Sequence, residues 1–568
     1  MPSIPIRSRI RSVIGSWFRR PMIRQKNQFL HTAKTSCQAT QQRVLQLLLT
    51  LNSGSRFSQD MGLKPGLSVS EFRERMPVVD YEFFRPYVDR MQTGEHNALL
   101  GQHNKLLMYA LTSGTTSQPK LIPITQQFVK DYRRGWQHWG IDVHQNHQKL
   151  QYQRIVQISS SHNKWLAPDG IPCGNISGLV TSMQKAIVRK LYVIPAAVTM
   201  IDDPVAKQYT VLRFALAEPQ VGMFVTANPS TLLHFCKDAD ANGEQLIRDV
   251  HNGTLTIGGI SDNTSRKLSR YLTPRHARAR QLEAAISRSG RLLASDCWPD
   301  LQCLGVWSGG SAGAYIPQLL REFGQVSVRD HGLHASEGRM TIPFESGTSA
   351  GVLDIESHFF EFIPAEEIES TSPTTLETHE LQINKDYYIL LTTSSGLYRY
   401  NIRDVVRCVG YFGATPMLEF RHKGSHISSI TGEKITESQV VDAVGMCCKE
   451  LRIMLSQFTL TPAWADPPGY ILYIGLDDQL QNTERQLFNL AVSVDRCLAE
   501  LNCEYAEKRA TGRLSPISCQ PISDSAWKSL KNYRLTTSGG SVEQYKHPCL
   551  MPDPNFEQMF CVAAGIQR

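Results

Sequence analysis

The chain has no apolar run approaching the length of a bilayer span, no internal repeat and no low-complexity tract. A protein built on transmembrane helices and a solenoid are therefore excluded, since each needs one of those patterns. None of the 13 cysteines forms a C-x-x-C pair, their number is odd, and Cys447 and Cys448 are adjacent. That usage suits neither a zinc site nor a disulfide framework and reads as reduced thiols in a cytoplasmic protein. Outside the N-terminus no cluster of basic residues occurs, nor aromatics interleaved with them. A net charge of +8 over 568 residues is mild and suits an anionic small substrate at least as well as nucleic acid, which is not an expected partner. The G-x-x-x-x-G-K-[ST] spacing of a Walker loop and a Ser/His/Asp arrangement are also missing.

What is present fits a soluble globular enzyme, with 41% hydrophobic and 20% charged residues. The length predicts two or more domains. Residues 1–25 carry Arg7, Arg9, Arg11, Arg19, Arg20 and Arg24 with no acidic residue, interleaved with Ile10, Val13, Ile14, Trp17 and Phe18. Such a segment suits a membrane surface or an organelle-targeting peptide. The favoured reading is a basic helix packed on the domain or a frayed end, because the helical apolar spacing is short. The h-region and cleavage site of a secretory signal are absent.

Helical patterns (40–51, 231–235, 277–287) alternate with short apolar runs (154–159, 220–227, 302–307). This predicts an α/β architecture. Phe128, Tyr132 and Trp136 recur every four residues and give one aromatic helix face, suited to core packing or to a substrate wall. Toward the C-terminus, helix over 440–451, strand over 470–476 and a capping-box start at Thr483-x-x-Gln486 predict a compact α+β unit.

The most informative stretch is Leu106 to Thr125: an apolar run, then Thr112-Ser-Gly-Thr-Thr116, Pro119 and Lys120, then a second apolar run. It reads as two strands joined by a flexible loop. Hydroxyls and backbone N–H groups donate to phosphate oxygens, while an ammonium offsets their charge. From the residues alone, a polar surface hairpin and a polyphosphate loop stay equally open. Taken singly, Glu337 in Ala335-Ser336-Glu337-Gly338 reads as a surface carboxylate, and Asp404 in Tyr398-Arg399-Tyr400-Asn-Ile-Arg-Asp404 as a strand-end Asp paired with Arg403 or Arg407.

Thr112-Ser-Gly-Thr-Thr-x-x-Pro-Lys120 resembles the phosphate loop of acyl-adenylate-forming enzymes. With Ile122-Pro123-Ile124-Thr125 behind it, and the Ser336-Glu337 and Tyr398–Asp404 motifs following in order, the chain from about residue 40 onward resembles the auxin-responsive Gretchen-Hagen-three family of acyl acid amido synthetases. Gln544-Tyr545-Lys546 matches that family's C-terminal signature. The departures are Ser117-Gln118 and Leu333, where the wider superfamily usually has Gly and often has Tyr, and Arg403, where relatives commonly have Gly.

The resemblance implies a large N-terminal adenylate-forming domain and a small C-terminal α+β domain. The expected division is a basic extension (1–38), a large ATP- and acyl-binding domain (39–422), a hinge (423–434) and the small domain (435–568). It further implies ATP and Mg²⁺ as cofactors. Thr112, Ser113, Gly114, Thr115, Thr116 and Lys120 would hold the β/γ-phosphates. Ser336 would contact the nucleotide, Glu337 would hold Mg²⁺, Asp404 would accept from the ribose hydroxyls, and Phe420 would stand near the adenine. Lys434 and Lys546 would reach the phosphates. The implied function is an ATP-dependent ligase that adenylates a small carboxylic acid and transfers the acyl group to an amine, such as that of an amino acid. An acyl-CoA ligase and a non-catalytic carboxylate- or nucleotide-binding relative stay open as alternatives.

Overall fold

The computed structural model describes residues 6–112, 120–159, 161–184, 186–368, 370–424, 427–428, 430–431, 433–463, 465–475, 484–538 and 547–552. Ser113, Gly114, Thr115, Thr116, Thr483 and Lys546 lie outside them, and for Thr112 only the backbone is described.

Two sheets carry most of the large N-terminal part. Arg154–Gln157, Val221–Val225, Cys303–Gly305 and Ser327–Arg329 form a four-stranded parallel sheet in that order. Val221–Val225 is buried along its whole length, as a strand covered on both faces must be. Helices such as Pro204–Ala217 and Pro229–Ala241 pack around this sheet in one apolar core. Each opens with Pro in the first turn and an Asp203 or Asn228 side chain that accepts from a free backbone N–H. The second sheet has six strands, ordered Phe359–Pro364, Asp386–Thr392, Tyr400–Phe412, Thr415–Lys423, Gly351–Leu353, Thr341–Ile342. It shares a core with the hairpin Leu106–Thr112/Lys120–Thr125 and with the helix Gln126–Asn146. That helix begins directly after the hairpin, because the Thr125 hydroxyl accepts from Phe128 N–H at 3.2 Å.

The N-terminal helix Ile6–Thr35 is docked on the large domain. Phe29 and Ala33 are buried in its core, and Phe29 stacks on His138 with ring centroids 5.1 Å apart. Lys26 pairs with Asp142 at 3.0 Å.

The C-terminal part is a separate core around the sheet Phe458–Ala463, Gly469–Gly475, Ser518–Ile522 and the helices Glu437–Leu451 and Glu484–Leu501. The first of these helices starts at a capping box: Thr436 accepts from Gln439 N–H, and the Gln439 side chain accepts from Thr436 N–H. The strand Thr415–Lys423 leads into it through Gly424 and a small two-stranded ladder, Ile427–Ser428 with Ile435–Thr436.

Arg403 has φ +60°. That left-handed conformation crowds Cβ against the carbonyl, a cost that Gly would not incur. The Asn401 side chain accepts from Arg403 N–H at 2.8 Å and holds the bend. Arg403→Gly is therefore expected to leave stability unchanged or raise it by up to about 1 kcal/mol, read as a higher thermal midpoint. A drop of more than about 1 kcal/mol would show that the Arg403 side chain carries an interaction the strain does not outweigh.

Candidate active site

Thr112 and Lys120 are partners across the hairpin, so the two described strand ends are neighbours. At the second of these ends Lys120 is half-buried, with Nζ over the Tyr81 ring, 5.6 Å from its centroid. The Tyr81 hydroxyl donates to the Leu121 carbonyl and accepts from Leu121 N–H, both at 2.9 Å, which fixes the ring against the strand. Burial lowers the Lys120 pKa and the Glu337 carboxylate opposes it, while the Lys423 ammonium pushes the same way as burial.

Ser336 reaches this mouth from 225 positions away, its hydroxyl donating to the Leu111 carbonyl at 3.5 Å. Glu337 is buried beside it. Burial raises its pKa, Lys423 and Lys120 work against that, and Asp404 adds to it. Asp404 is buried opposite Lys423 in the strand register, and their Oδ1 and Nζ are 2.8 Å apart. For Lys423 burial works against the charge, but Asp404 and Glu337 outweigh it and hold the pKa above its ordinary value. Lys120, Glu337, Asp404 and Lys423 thus share one electrostatic neighbourhood, with Tyr400 buried among them and its pKa driven well up by burial and by both carboxylates.

Lys423 was not expected here. The sequence places it at the start of the hinge, and only the cross-strand register sets it against Asp404. The pattern Asp404-Val-Val-Arg…His422-Lys423 across a hairpin is the one signal that points to it.

The segment carrying Ser336 and Glu337 is anchored at both ends. Upstream, the Asp330 carboxylate accepts from Ser308 N–H, Ser308 hydroxyl and Gly332 N–H at 2.6–2.7 Å, and burial pushes its pKa up to about 6. Gly332 has φ +88°, and a Cβ there would lie 2.2 Å from the Thr341 carbonyl oxygen. Downstream, the fully buried Arg339 lies over the Trp136 ring, 4.8 Å from its centroid, and donates to the His331 carbonyl. Gly135 makes room for it, since a Cβ would meet Arg339 Cδ at 2.4 Å. On the aromatic face Phe128 and Tyr132 are core, as one of its two expected uses has it, and Trp136 packs against that core and on His331 and His334, at 5.4 and 5.6 Å. Those histidines pack on one another at 4.7 Å, and among the described residues no His/Cys/Asp/Glu group has metal-holding geometry.

Arg399, at the entry to the strand that carries Asp404, holds φ +45° while buried. Its guanidinium donates to Glu361 at 3.0 Å, to the Met76 carbonyl at 2.7 Å and to Thr375 at 2.9 Å. Phe420 packs on Trp307 with centroids 5.2 Å apart and lines a cavity of about 490 Å³ together with Ser308, Gly310, Val441 and Cys448. The cavity therefore lies between the large domain and the helix Glu437–Leu451. Lys434 is exposed at φ +44°, and among the described residues it makes no ion pair. Asn502 donates to the carbonyls of Glu433 and Lys434, at 2.9 and 3.4 Å.

Three family profiles cover nearly the whole chain: the GH3 family N-terminal domain over residues 26–328, its central domain over 351–423 and its C-terminal domain over 438–555. The chain belongs to the GH3 family. Among curated relatives, indole-3-acetic acid-amido synthetase GH3.15 of Arabidopsis thaliana is 25% identical over 556 residues, 91% of each chain. Jasmonoyl--L-amino acid synthetase JAR4 of Nicotiana attenuata is 21% identical over 547 residues, 93% of each. The solved structure of GH3.15 acyl acid amido synthetase superimposes with a TM-score of 0.82 at 22% identity over 94% of each chain. The GH3 fold of this chain is thus a mixed α/β one, with a large N-terminal and a smaller C-terminal domain.

Two outcomes test how this GH3 site is held. Glu361→Gln leaves Arg399 buried without its countercharge and should lower stability by about 3 kcal/mol or more in thermal unfolding. A loss below about 1 kcal/mol would mean that the neutral bonds of Arg399 suffice. His358 stands over Gly338, stacks with Phe128 at 5.9 Å and is fully buried, which lowers its pKa to about 3 from 6.5. The unfolded chain takes up that proton first. The stability from keeping His358 neutral is full above pH 6.5 and is lost as pH falls toward 3. His358→Gln should make the acid-side fall in unfolding free energy shallower by about 1.4 kcal/mol per pH unit.

Proposed function

We propose that this chain is an ATP-dependent acyl acid–amido ligase, which adenylates a small carboxylic acid and passes the acyl group to the amine of an amino acid. One observation carries the reading. Lys120, Glu337 and Asp404 come from three motifs spread over nearly 300 positions, and they meet at the mouth of the hydroxyl-rich loop. The curated relatives are named as amido synthetases acting on indole-3-acetic acid and jasmonate, and a solved relative is a complex with 2,4-DB. Those names support the same reaction class.

A carboxylate is a poor electrophile, so amide formation requires it first to be joined to AMP with loss of pyrophosphate. The acyl group is carried by AMP, and the protein has to supply position and charge, not a nucleophile. Lys120 and the 112–116 loop hold the β/γ-phosphates. Asp404, a buried carboxylate, accepts from the ribose diol. Lys423, paired with that carboxylate, supplies a second ammonium beside Lys120 for the phosphates. Phe420 and the cavity beside it take the base. The residues fit Mg²⁺: Glu337 is a buried oxygen donor with Asp404 near it. Glu337 would hold the cation, which supplies charge neutralisation to the phosphates. Lys434 and Lys546 lie in the hinge and the small domain, so rotation about 423–434 brings them to the α-phosphate between the two half-reactions. The twelve described cysteines are free thiols, mostly buried, in keeping with a cytoplasmic compartment.

Pyrophosphate release is the measurement, with ATP and Mg²⁺ over a panel of carboxylic acids, with amino acids, with CoA, and with neither. Acid-dependent release that rises with amino acids, ignores CoA and stops when Mg²⁺ is chelated is expected. Release driven by CoA would make the chain an acyl-CoA ligase, and ATP binding without release a non-catalytic relative. Glu337→Gln should lower kcat/KM by roughly 100-fold, and Asp404→Asn should raise the KM for ATP roughly 10- to 100-fold. Activity within about twofold of wild type in both variants would remove these residues from the reaction.

A further inference from the structure

The positive charge of this chain sits at one end. Of its 60 Lys and Arg and 52 Asp and Glu, ten basic residues and no acidic one precede Asp60, which leaves 50 basic against 52 acidic in all the rest. The net charge of +8 is therefore +10 in the first 59 residues and −2 elsewhere.

The helix Ile6–Thr35 that opens this segment has two unlike faces. Ser12, Lys26, Phe29 and Ala33 recur at helical spacing and face the large domain. Ser12 donates to Gln151 at 3.0 Å, Lys26 pairs with Asp142, and Phe29 and Ala33 are core. The other face carries Val13 and Trp17, 70% and 68% exposed, with Phe18 at its edge, 43% exposed. The Trp17 ring meets Phe18 edge-on, at 5.5 Å between centroids. One and two turns further on, Arg20 and Arg24 stand exposed at i+3 and i+7 from Trp17, on the same stripe. Arg7, Arg9 and Arg11 add charge at the N-terminal end of the helix.

Large apolar side chains held out of the core on this helix, rimmed by guanidinium groups with no carboxylate in the segment, complement an anionic lipid surface. Aromatic rings partition into the boundary between headgroups and acyl chains, and arginines pair with the phosphates of anionic lipids. A second copy of this chain is a poor occupant, since a two-fold contact would set Arg20 and Arg24 against themselves. We propose that the outer face of Ile6–Thr35 docks the protein reversibly on an anionic lipid surface, with Val13, Trp17 and Phe18 inserted and Arg20 and Arg24 on the headgroups.

Co-sedimentation of the full-length protein with vesicles tests this, comparing phosphatidylcholine alone with phosphatidylcholine containing phosphatidylglycerol. Binding to the anionic vesicles, weak on the neutral ones and falling with salt, is expected. Arg20→Gln/Arg24→Gln should reduce partitioning at low salt roughly 25-fold, about fivefold for each arginine. Trp17→Ser/Phe18→Ser should reduce it at least about tenfold at every salt concentration. These positions are exposed, so both double variants should keep the wild-type thermal midpoint and vesicle-free pyrophosphate release. No binding to anionic vesicles, or binding that neither variant weakens, would overturn the proposal. So would a dimer in sedimentation equilibrium that Trp17→Ser/Phe18→Ser dissolves, or DNA retention without vesicle binding.

Discussion

Two carboxylates, Glu337 and Asp404, are buried near one another, an arrangement that is costly unless cations share the space. Lys423 across the strand from Asp404 and Lys120 at the end of the hairpin supply that charge. The four groups form a nearly neutral cluster in which each charge depends on the others, because low local polarity penalises any of them left alone. It is also what a site for a metal–polyphosphate complex needs at rest: an oxygen donor for the cation, ammonium groups for the phosphates, and a carboxylate for a diol.

Keeping four charges in register requires a backbone that does not relax away from them. Arg399 holds a left-handed φ because its guanidinium is tied to Glu361, Met76 and Thr375, and Arg403, the residue immediately before Asp404, is left-handed as well. On the other side, Asp330 and Arg339 fix the two ends of the Ser336–Glu337 segment against Ser308 and Trp136. Strain of this kind persists where surrounding bonds over-determine it.

The large domain bears the N-terminal helix as part of its core on one side and as a free surface on the other. The inward face resembles any helix packed by apolar spacing, whereas the outward face keeps Trp17 in solvent at a place where core packing has no claim on it. Adenylation chemistry gives no reason for that exposure, which sets the surface apart from the site.

Residue types and their order made the chemistry legible in the chain itself. A hydroxyl-rich loop between two apolar runs, a Ser-Glu pair and an Asp after a Tyr-Arg-Tyr strand carry their identities at any distance, and alternating apolar runs announce the α/β elements, such as Val221–Val225 within the expected 220–227. A local signal outweighs the apolar spacing at one place: Thr436-Glu-Ser-Gln439 is a capping box, and it starts the last domain's first helix at Glu437 rather than 440. Other features could not be read at all. That Lys423 pairs with Asp404, that Arg399 is clamped by Met76 and Glu361, and that Ser336 reaches Leu111 depend on strand register and on contacts 19 to 323 positions apart. Composition determines which groups a chain can offer. Which of them are buried together, and so which charges compensate, is decided only when the sheets close, because burial and pairing are properties of the packed core and not of the order of residues.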